Sequence, residues 1–224
     1  MILEAKNITK SFINQNRKLN VFRNVSLNIE KGELITIMGP SGSGKSTLLN
    51  IIGTLESFDE GELLINGKEI VKLSNESLSK IRNKFLGFVF QFHHLIPELN
   101  VIENVMVPQQ IYQNEVDDFY AKELLEFMGL MNRINHYPSE LSGGESSRVA
   151  VARALVNKPA LILADEPSGN LDIENAEKLI KLFKKINDEF GQSIIVATHD
   201  KNVASIGDRS LMLNKGMLSD SDII

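Results

Sequence analysis

The chain has 224 residues, 42% of them hydrophobic, enough for one globular unit with a sizeable buried core, which excludes disorder as its main state. Its net charge of −5 speaks against a partner gripped by a basic face, so nucleic acid is not expected. Without cysteine, disulfides and thiolate metal sites are excluded, in keeping with a reducing compartment.

The opening segment Met1-Ile2-Leu3-Glu4-Ala5-Lys6 lacks the charged and apolar regions of a signal peptide, so no leader is expected. No apolar run approaches the ~20 residues needed to span a bilayer. The first 30 residues and Gly61 to Val71 read as antiparallel β structure. Within the second stretch, Asn66-Gly67 between Leu63-Leu64-Ile65 and Lys68-Glu69-Ile70 is a type I′ hairpin signal. Three short apolar runs, Leu34 to Met38, Ala160 to Ala164 and Ser193 to Thr198, have the character of strands buried on both faces of a parallel sheet. From Val101 to Asn157 the chain turns largely helical, with Ala121, Leu124, Leu125 and Met128 at helical spacing before Gly129 as a C-cap. Within that stretch a helix is expected from Ser146 to about Asn157. A further helix spans Ile173 to Phe190, with Ala176, Leu179, Ile180, Phe183, Ile186 and Phe190 on one face and Gly191 at its end. The fold class is therefore α/β: a mainly parallel core sheet flanked by helices, with an N-terminal antiparallel β subdomain and a helical subdomain.

Each of the three apolar runs ends in polar residues, and in open α/β sheets ligands bind beyond the carboxyl ends of the strands. After the first comes Gly39-Pro40-Ser41-Gly42-Ser43-Gly44-Lys45-Ser46, which fits G-x-x-x-x-G-K-[ST] between a strand and a helix. Its glycines let backbone N–H groups turn inward around phosphates. Lys45 reaches the β- and γ-phosphates, the Ser46 hydroxyl can ligate Mg²⁺, and Thr47 can add a phosphate hydrogen bond. The second run ends in Asp165-Glu166, which suits a carboxylate supporting Mg²⁺ beside one that meets an attacking water, with Glu166 as general base. His199 follows the third and stands where an imidazole meets the γ-phosphate.

Plainer readings stand beside these. Acids can simply terminate a core strand, and a histidine can close one. Adjacent His93 and His94 lack a spaced third ligand for a metal, which leaves packing or a partner-facing loop. Asp172 can merely cap the helix beginning near Ile173. Ser142 and Glu145, in Leu141-Ser142-Gly143-Gly144-Glu145, satisfy the S-x-x-E capping box. Capping alone does not call for two glycines, each about 0.8–1.0 kcal/mol less favourable than alanine in a helix, so close approach of a ligand to this helix end explains them better.

With these motifs in this order, the chain resembles the nucleotide-binding subunits of ABC transporters, P-loop NTPases, over essentially its full length. The resemblance implies a single ABC ATPase domain, with a core of residues 1–90 and 158–224 and a helical subdomain of residues 91–157 carrying the signature motif. It also implies a Mg-dependent ATPase working as a head-to-tail dimer. Two ATP molecules would be sandwiched between Gly39 to Thr47 of one copy and Ser142, Gly143, Gly144 and Glu145 of the other. By the same resemblance Gln91 senses Mg²⁺ and a membrane partner, Ser168 to Asp172 contact the second copy, Glu166 is catalytic and His199 is the γ-phosphate switch. Phe12 takes the place of the adenine-stacking aromatic, usually tyrosine; a phenylalanine in the β core is its plainer reading.

Within the family, Gln91-Phe92-His93-His94-Leu95-Ile96-Pro97, Glu103-Asn104-Val105 and Glu166-Pro167-Ser168-Gly169-Asn170-Leu171-Asp172 look most like the LolD-type ATPases of lipoprotein-releasing complexes. MacB-type efflux ATPases and FtsE-type regulators of cell-wall complexes are close relatives. That resemblance implies separate transmembrane permease subunits, a peripheral place on the cytoplasmic face of the inner membrane and no direct insertion. Two departures stand out: Ser168 replaces the group's common threonine, and Ser146-Ser147 stand where the family has longer polar residues. Serine is the weaker helix former, so the signature helix is expected to be less firm there or to lack a contact made by longer side chains.

Overall fold

The computed structural model describes residues 1–14, 17–112 and 116–221; residues 15–16 of the expected N-terminal β region lie outside it. Strands β1 (Leu3–Asn14) and β2 (Arg17–Ile29) open the chain, and β3 (Leu34–Met38) leads into helix α1 (Lys45–Ile52). The hairpin of β4 (Glu60–Ile65) and β5 (Lys68–Glu69) precedes α2 (Asn75–Phe85) and β6 (Leu86–Phe90). Helices α3 (Val101–Tyr112), α4 (Asp118–Phe127) and α5 (Gly143–Leu155) follow. The chain then runs through β7 (Leu161–Asp165), α6 (Ile173–Phe190), β8 (Ser193–Thr198), the short α7 (Lys201–Ala204), β9 (Arg209–Asn214) and β10 (Met217–Asp220).

Two sheets result. One is antiparallel, in the order β2-β1-β4-β5. Asn66 and Gly67 join its last two strands with φ of 49° and 72°, both positive as a type I′ turn requires. The other has the order β10-β9-β3-β8-β7-β6, parallel throughout except for β10 at one edge.

Strict alternation sorts the residues of the parallel strands between two cores. Ile35, Ile37, Leu161, Leu163, Ile195 and Ala197 face a core shared with α1 and the antiparallel sheet. Leu34, Ile162, Ala164, Ile194 and Val196 face another, filled by Val149 and Val151 of α5 and Leu179 and Phe183 of α6. Covered on both sides, these strands can be apolar at every position, which is why they read as unbroken runs. The middle three of the run, β3, β8 and β7, are neighbours, so their carboxyl ends open side by side.

Several boundaries differ from expectation. The strand expected at Ala160 to Ala164 lies one residue later, and Asp165 is still paired within it, opposite Ala197. Helix α5 begins at Gly143 rather than Ser146, because Ser142 is the N-cap and the glycines form the first turn. On α6, Phe190 does not share the buried face. It is 46% exposed and packs against Phe127 of α4, with ring centroids 4.9 Å apart.

Gly87 on β6 lies directly beneath α5: a Cβ there would stand 2.4 Å from the Ala154 carbonyl oxygen. Neither backbone can yield without disturbing a core. Gly87→Ala is expected to lower stability by about 1–3 kcal/mol, read as a reduced urea midpoint with little change in denaturant slope.

Candidate functional site

Three strand ends converge. The β3 end opens into the loop from Gly39 to Gly44, whose last residue caps α1 in a left-handed conformation, φ 101°. Lys45, the first residue of α1, is buried to 6% side-chain exposure. Its ammonium donates to the Gly39 carbonyl at 2.9 Å and the Pro40 carbonyl at 3.3 Å, which fixes it across the loop. Ser46 and Thr47 follow on the first turn, Ser46 exposed and Thr47 half-buried. Pro40, Ser41 and Gly42 are exposed, while the Ser43 hydroxyl is buried without a hydrogen-bond partner.

At the β7 end, burial pushes the Asp165 carboxyl up, reinforced by the negative charge of Glu166 and opposed by a hydrogen bond from Ser46 and the charge of Lys45. Its Oδ1 is buried and has no hydrogen-bond partner. A carboxylate oxygen aimed inward beside a serine hydroxyl fits a divalent cation with oxygen ligands. Glu166, next in the chain, has φ 45°, uncommon for a residue with a side chain and maintained by its N–H bond to the Ala197 carbonyl at 2.9 Å.

That backbone setting aims the Glu166 carboxylate between two cations or donors. Oε1 lies 3.3 Å from Lys45 Nζ, and Oε2 accepts from His199 Nδ1 at 2.9 Å and from the His199 N–H at 3.4 Å. Glu166 is 18% exposed and His199 66%, so the carboxylate is largely enclosed while the imidazole is open to solvent. Lys45, Glu166 and His199, far apart in sequence, thus form one constellation.

Gln91 follows β6 and exchanges hydrogen bonds with Asn170: its Nε2 donates to Asn170 Oδ1 at 3.2 Å, and Asn170 Nδ2 donates to the Gln91 carbonyl at 3.1 Å. Asn170 is a partner that no motif spacing points to. The segment Ser168 to Asp172 is closed by a turn, Leu171 N–H to Ser168 O at 3.0 Å. Asp172 caps α6 by accepting from the Asn175 N–H at 2.8 Å, yet stays exposed beside Ile173, which is 81% exposed.

The signature turn stands apart. Ser142 N–H and Oγ each donate to Glu145 Oε2 at 2.8 Å, and the Glu145 N–H donates back to Ser142 Oγ at 3.3 Å, a complete capping box. Arg133, whose role has no sequence signal, binds Glu145 Oε1 at 2.8 Å through Nε. Among the described residues, no hydrogen bond or ion pair of this turn reaches the loop from Gly39 to Thr47. The two glycines have different causes. A Cβ on Gly144 would lie 2.6 Å from Asn175 Oδ1, so packing against α6 demands it. A Cβ on Gly143 would meet only Leu171 Cδ2 at 3.5 Å, an ordinary contact, so packing within the chain does not demand glycine there.

Ser147 does not loosen the helix as expected. It is 1% exposed, its hydroxyl donates to the Gly143 carbonyl at 3.0 Å and it pairs with His93 Nε2 at 2.7 Å. The hydroxyl has one proton, so the imidazole donates here; burial first, then Arg153 and His94, holds His93 below the usual histidine range. His93 therefore serves packing and loop geometry, and the carbonyls of His93 and His94 are both gripped by Arg153. Phe12, 39% exposed on β1, is not a core residue.

The family described as "ABC transporter" matches residues 22–169. The chain is 48% identical to the lipoprotein-releasing system ATP-binding protein LolD of Bacteroides fragilis, over 96% of this chain and 99% of that protein. It is likewise 48% identical to LolD of Porphyromonas gingivalis, over 97% and 99%. Among solved structures, it matches the dimeric ATP-binding cassette MJ0796 in a post-hydrolysis state bound to ADP and Pi, with TM-score 0.90 and 42% identity, covering 100% of this chain and 99% of that one.

The Glu145 carboxyl is held down to about 2, first by the Ser142 backbone N–H and then by Arg133, well below its ordinary value of 4.5. A depressed carboxyl contributes stability that is present above about pH 4.5 and disappears as pH falls toward 2. Glu145→Gln is expected to flatten the acid limb of the stability profile between those values while leaving its neutral part offset downward, as measured by denaturant unfolding from pH 6 to pH 2.

Proposed function

Because this chain belongs to the ABC transporter family, we propose that it is the ATP-hydrolysing subunit of a lipoprotein-releasing complex, working as a head-to-tail pair beneath separate transmembrane subunits. The observation that carries the catalytic part is the Lys45–Glu166–His199 constellation at the carboxyl ends of β3, β7 and β8. Near-full-length identity to LolD proteins carries the assignment to lipoprotein release.

The N–H groups of Gly39 to Thr47 and the Lys45 ammonium hold the phosphates, and the Phe12 ring supports the adenine. In the structure both Glu166 oxygens are engaged, one by Lys45 and the other by His199. A γ-phosphate competes for both partners: Lys45 turns toward it, His199 swings off the carboxylate, and Glu166 is left free to accept a proton. Water then attacks the γ-phosphorus, the bond to the β,γ-bridging oxygen breaks, ADP leaves, and the water proton passes to Glu166. Ser46 and Asp165, with Gln91, are the residues that would hold Mg²⁺, which supplies charge neutralisation at the phosphates.

With no hydrogen bond or ion pair among the described residues tying the signature turn to its own phosphate loop, Ser142 to Glu145 complete the site of a second copy, bringing N–H groups and a helix N-terminus to the γ-phosphate. The segment Ser168 to Asp172 lines the same contact. Residues 91–157 form the helical subdomain that carries the signature turn, beside a core of 1–90 and 158–224. No helix among the described residues is long and apolar enough to cross a membrane. The likeness to LolD proteins supports a peripheral place on the cytoplasmic face of the inner membrane, held through the partners. A groove of about 420 Å³ lined by Phe88, Phe90, His94, Pro108 and Ile111, next to exposed Phe92, receives them.

Glu166→Gln is expected to bind ATP normally, accumulate a closed dimer on size-exclusion chromatography and lose roughly 10²–10⁴-fold in turnover; wild-type turnover would remove Glu166 as base. Gly143→Ala separates the outer site from the fold. Its unfolding midpoint should not fall below that of wild type and its monomer ATP affinity should stay within error, while turnover drops at least about tenfold; undiminished turnover sinks the shared site. Reconstitution with lipoprotein-release permeases should couple ATP hydrolysis to lipoprotein detachment from proteoliposomes, whereas a purely regulatory role predicts hydrolysis without detachment.

A further inference from the structure

Lys10 is the most buried lysine outside the phosphate loop, 5% exposed on a strand whose neighbours Ile8 and Phe22 belong to the core. A lysine in that position is costly unless paired. Its ammonium is paired with Glu56 Oε1 at 2.7 Å and at the same time lies 4.6 Å from the centroid of the Phe12 ring, over its face. Glu56 belongs to the segment that leaves the end of α1 at Gly53. A second clasp lies beside the first: both the N–H and the hydroxyl of Ser11 bind Asp59 Oδ2, and the Asp59 N–H donates to the Thr9 carbonyl at 2.8 Å.

These contacts join β1 to the far end of α1, the helix whose near end is Lys45. At that near end the hairpin touches again, since a Cβ on Gly44 would lie 2.6 Å from Val21 Cγ1 of β2. A helix of 8 residues is a rigid spacer about 12 Å long. The β1–β2 hairpin that carries Phe12 thereby lies against both ends of α1, β1 at the far end and β2 at the near end. With a cation over one face of the ring, the opposite face is the one left for a flat ligand.

We propose that Lys10, held by Glu56, is a positioning residue for nucleotide binding: it backs the Phe12 ring and sets its distance and tilt relative to the phosphate loop, so that base and triphosphate are gripped together. This rests on the reading of Phe12 as the base-stacking residue. Lys10 itself touches no phosphate in this scheme, so its loss should be felt through the base alone.

The test compares the affinity of the intact protein for ATP with that for inorganic triphosphate, which lacks base and ribose. Lys10→Met keeps the length of the stem and removes the charge; Glu56→Gln removes the anchor; Phe12→Ala removes the ring. The expected result is a fall of about tenfold in ATP affinity for Lys10→Met, a smaller fall for Glu56→Gln, and triphosphate affinity within twofold of wild type for both. Added to Phe12→Ala, the Lys10→Met change should cost nothing more. Equal weakening of ATP and triphosphate in Lys10→Met would mark a general structural role and overturn the proposal. So would an unchanged ATP-to-triphosphate ratio in Lys10→Met alongside a lowered one in Phe12→Ala, which leaves stacking on Phe12 standing. An unchanged ratio in Phe12→Ala would remove the stacking itself, and the positioning role with it.

Discussion

Burial of one parallel sheet on both faces is the constraint on which everything else here depends. Strands β3, β8 and β7 have helices and a second sheet against them, so their side chains are fully committed to packing and their backbones to the ladder. Only their carboxyl ends are free to carry chemistry. The edge is rigid because displacing any strand would open two cores at once. This rigidity lets Glu166 occupy a left-handed conformation with its N–H pinned to Ala197 on the adjacent strand. It also brings Lys45 and His199 to opposite sides of one carboxylate.

The same edge gives two adjacent acids different surroundings. Both Glu166 oxygens are engaged, one by the Lys45 ammonium and the other by the His199 imidazole. Asp165 differs from its neighbour: burial raises it, and an oxygen without a hydrogen-bond partner is costly unless a cation satisfies it. Adjacent acids thus acquire distinct roles from their surroundings.

Away from this edge, the signature turn is a self-contained unit. Ser142, Glu145 and Arg133 satisfy one another, and Ser147 ties the turn to His93 in the segment after Gln91. Capping and ligand binding are compatible, because the cap uses the Ser142 and Glu145 side chains, while Gly143 remains exposed at the helix end. The Ser146-Ser147 pair is informative in this respect. A short side chain at 147 fits a site with 1% exposure and keeps both hydrogen bonds, so what reads as a weak helix former is a buried junction.

Sequence alone determined where the loop from Gly39, the Asp165-Glu166 pair, His199 and the three central strands lie, because each is local: a motif at the end of a short apolar run. The helix from Ile173 to Phe190 and the Asn66-Gly67 turn were legible for the same reason, in spacing and backbone preference. Tertiary structure alone decided the rest. Strand β6 was hidden because α2 runs into it without a turn and Gly87 interrupts its apolar pattern. Strand β9 was hidden because its burial alternates near an edge, mixing Arg209 and Ser210 with Leu211 and Leu213. Asn170 beside Gln91, Arg133 beside Glu145, Asn175 against Gly144 and Lys10 behind Phe12 carry no motif. Their partners lie across a fold, and pairings of that kind exist only once packing has closed the distance between segments that spacing along the chain cannot relate.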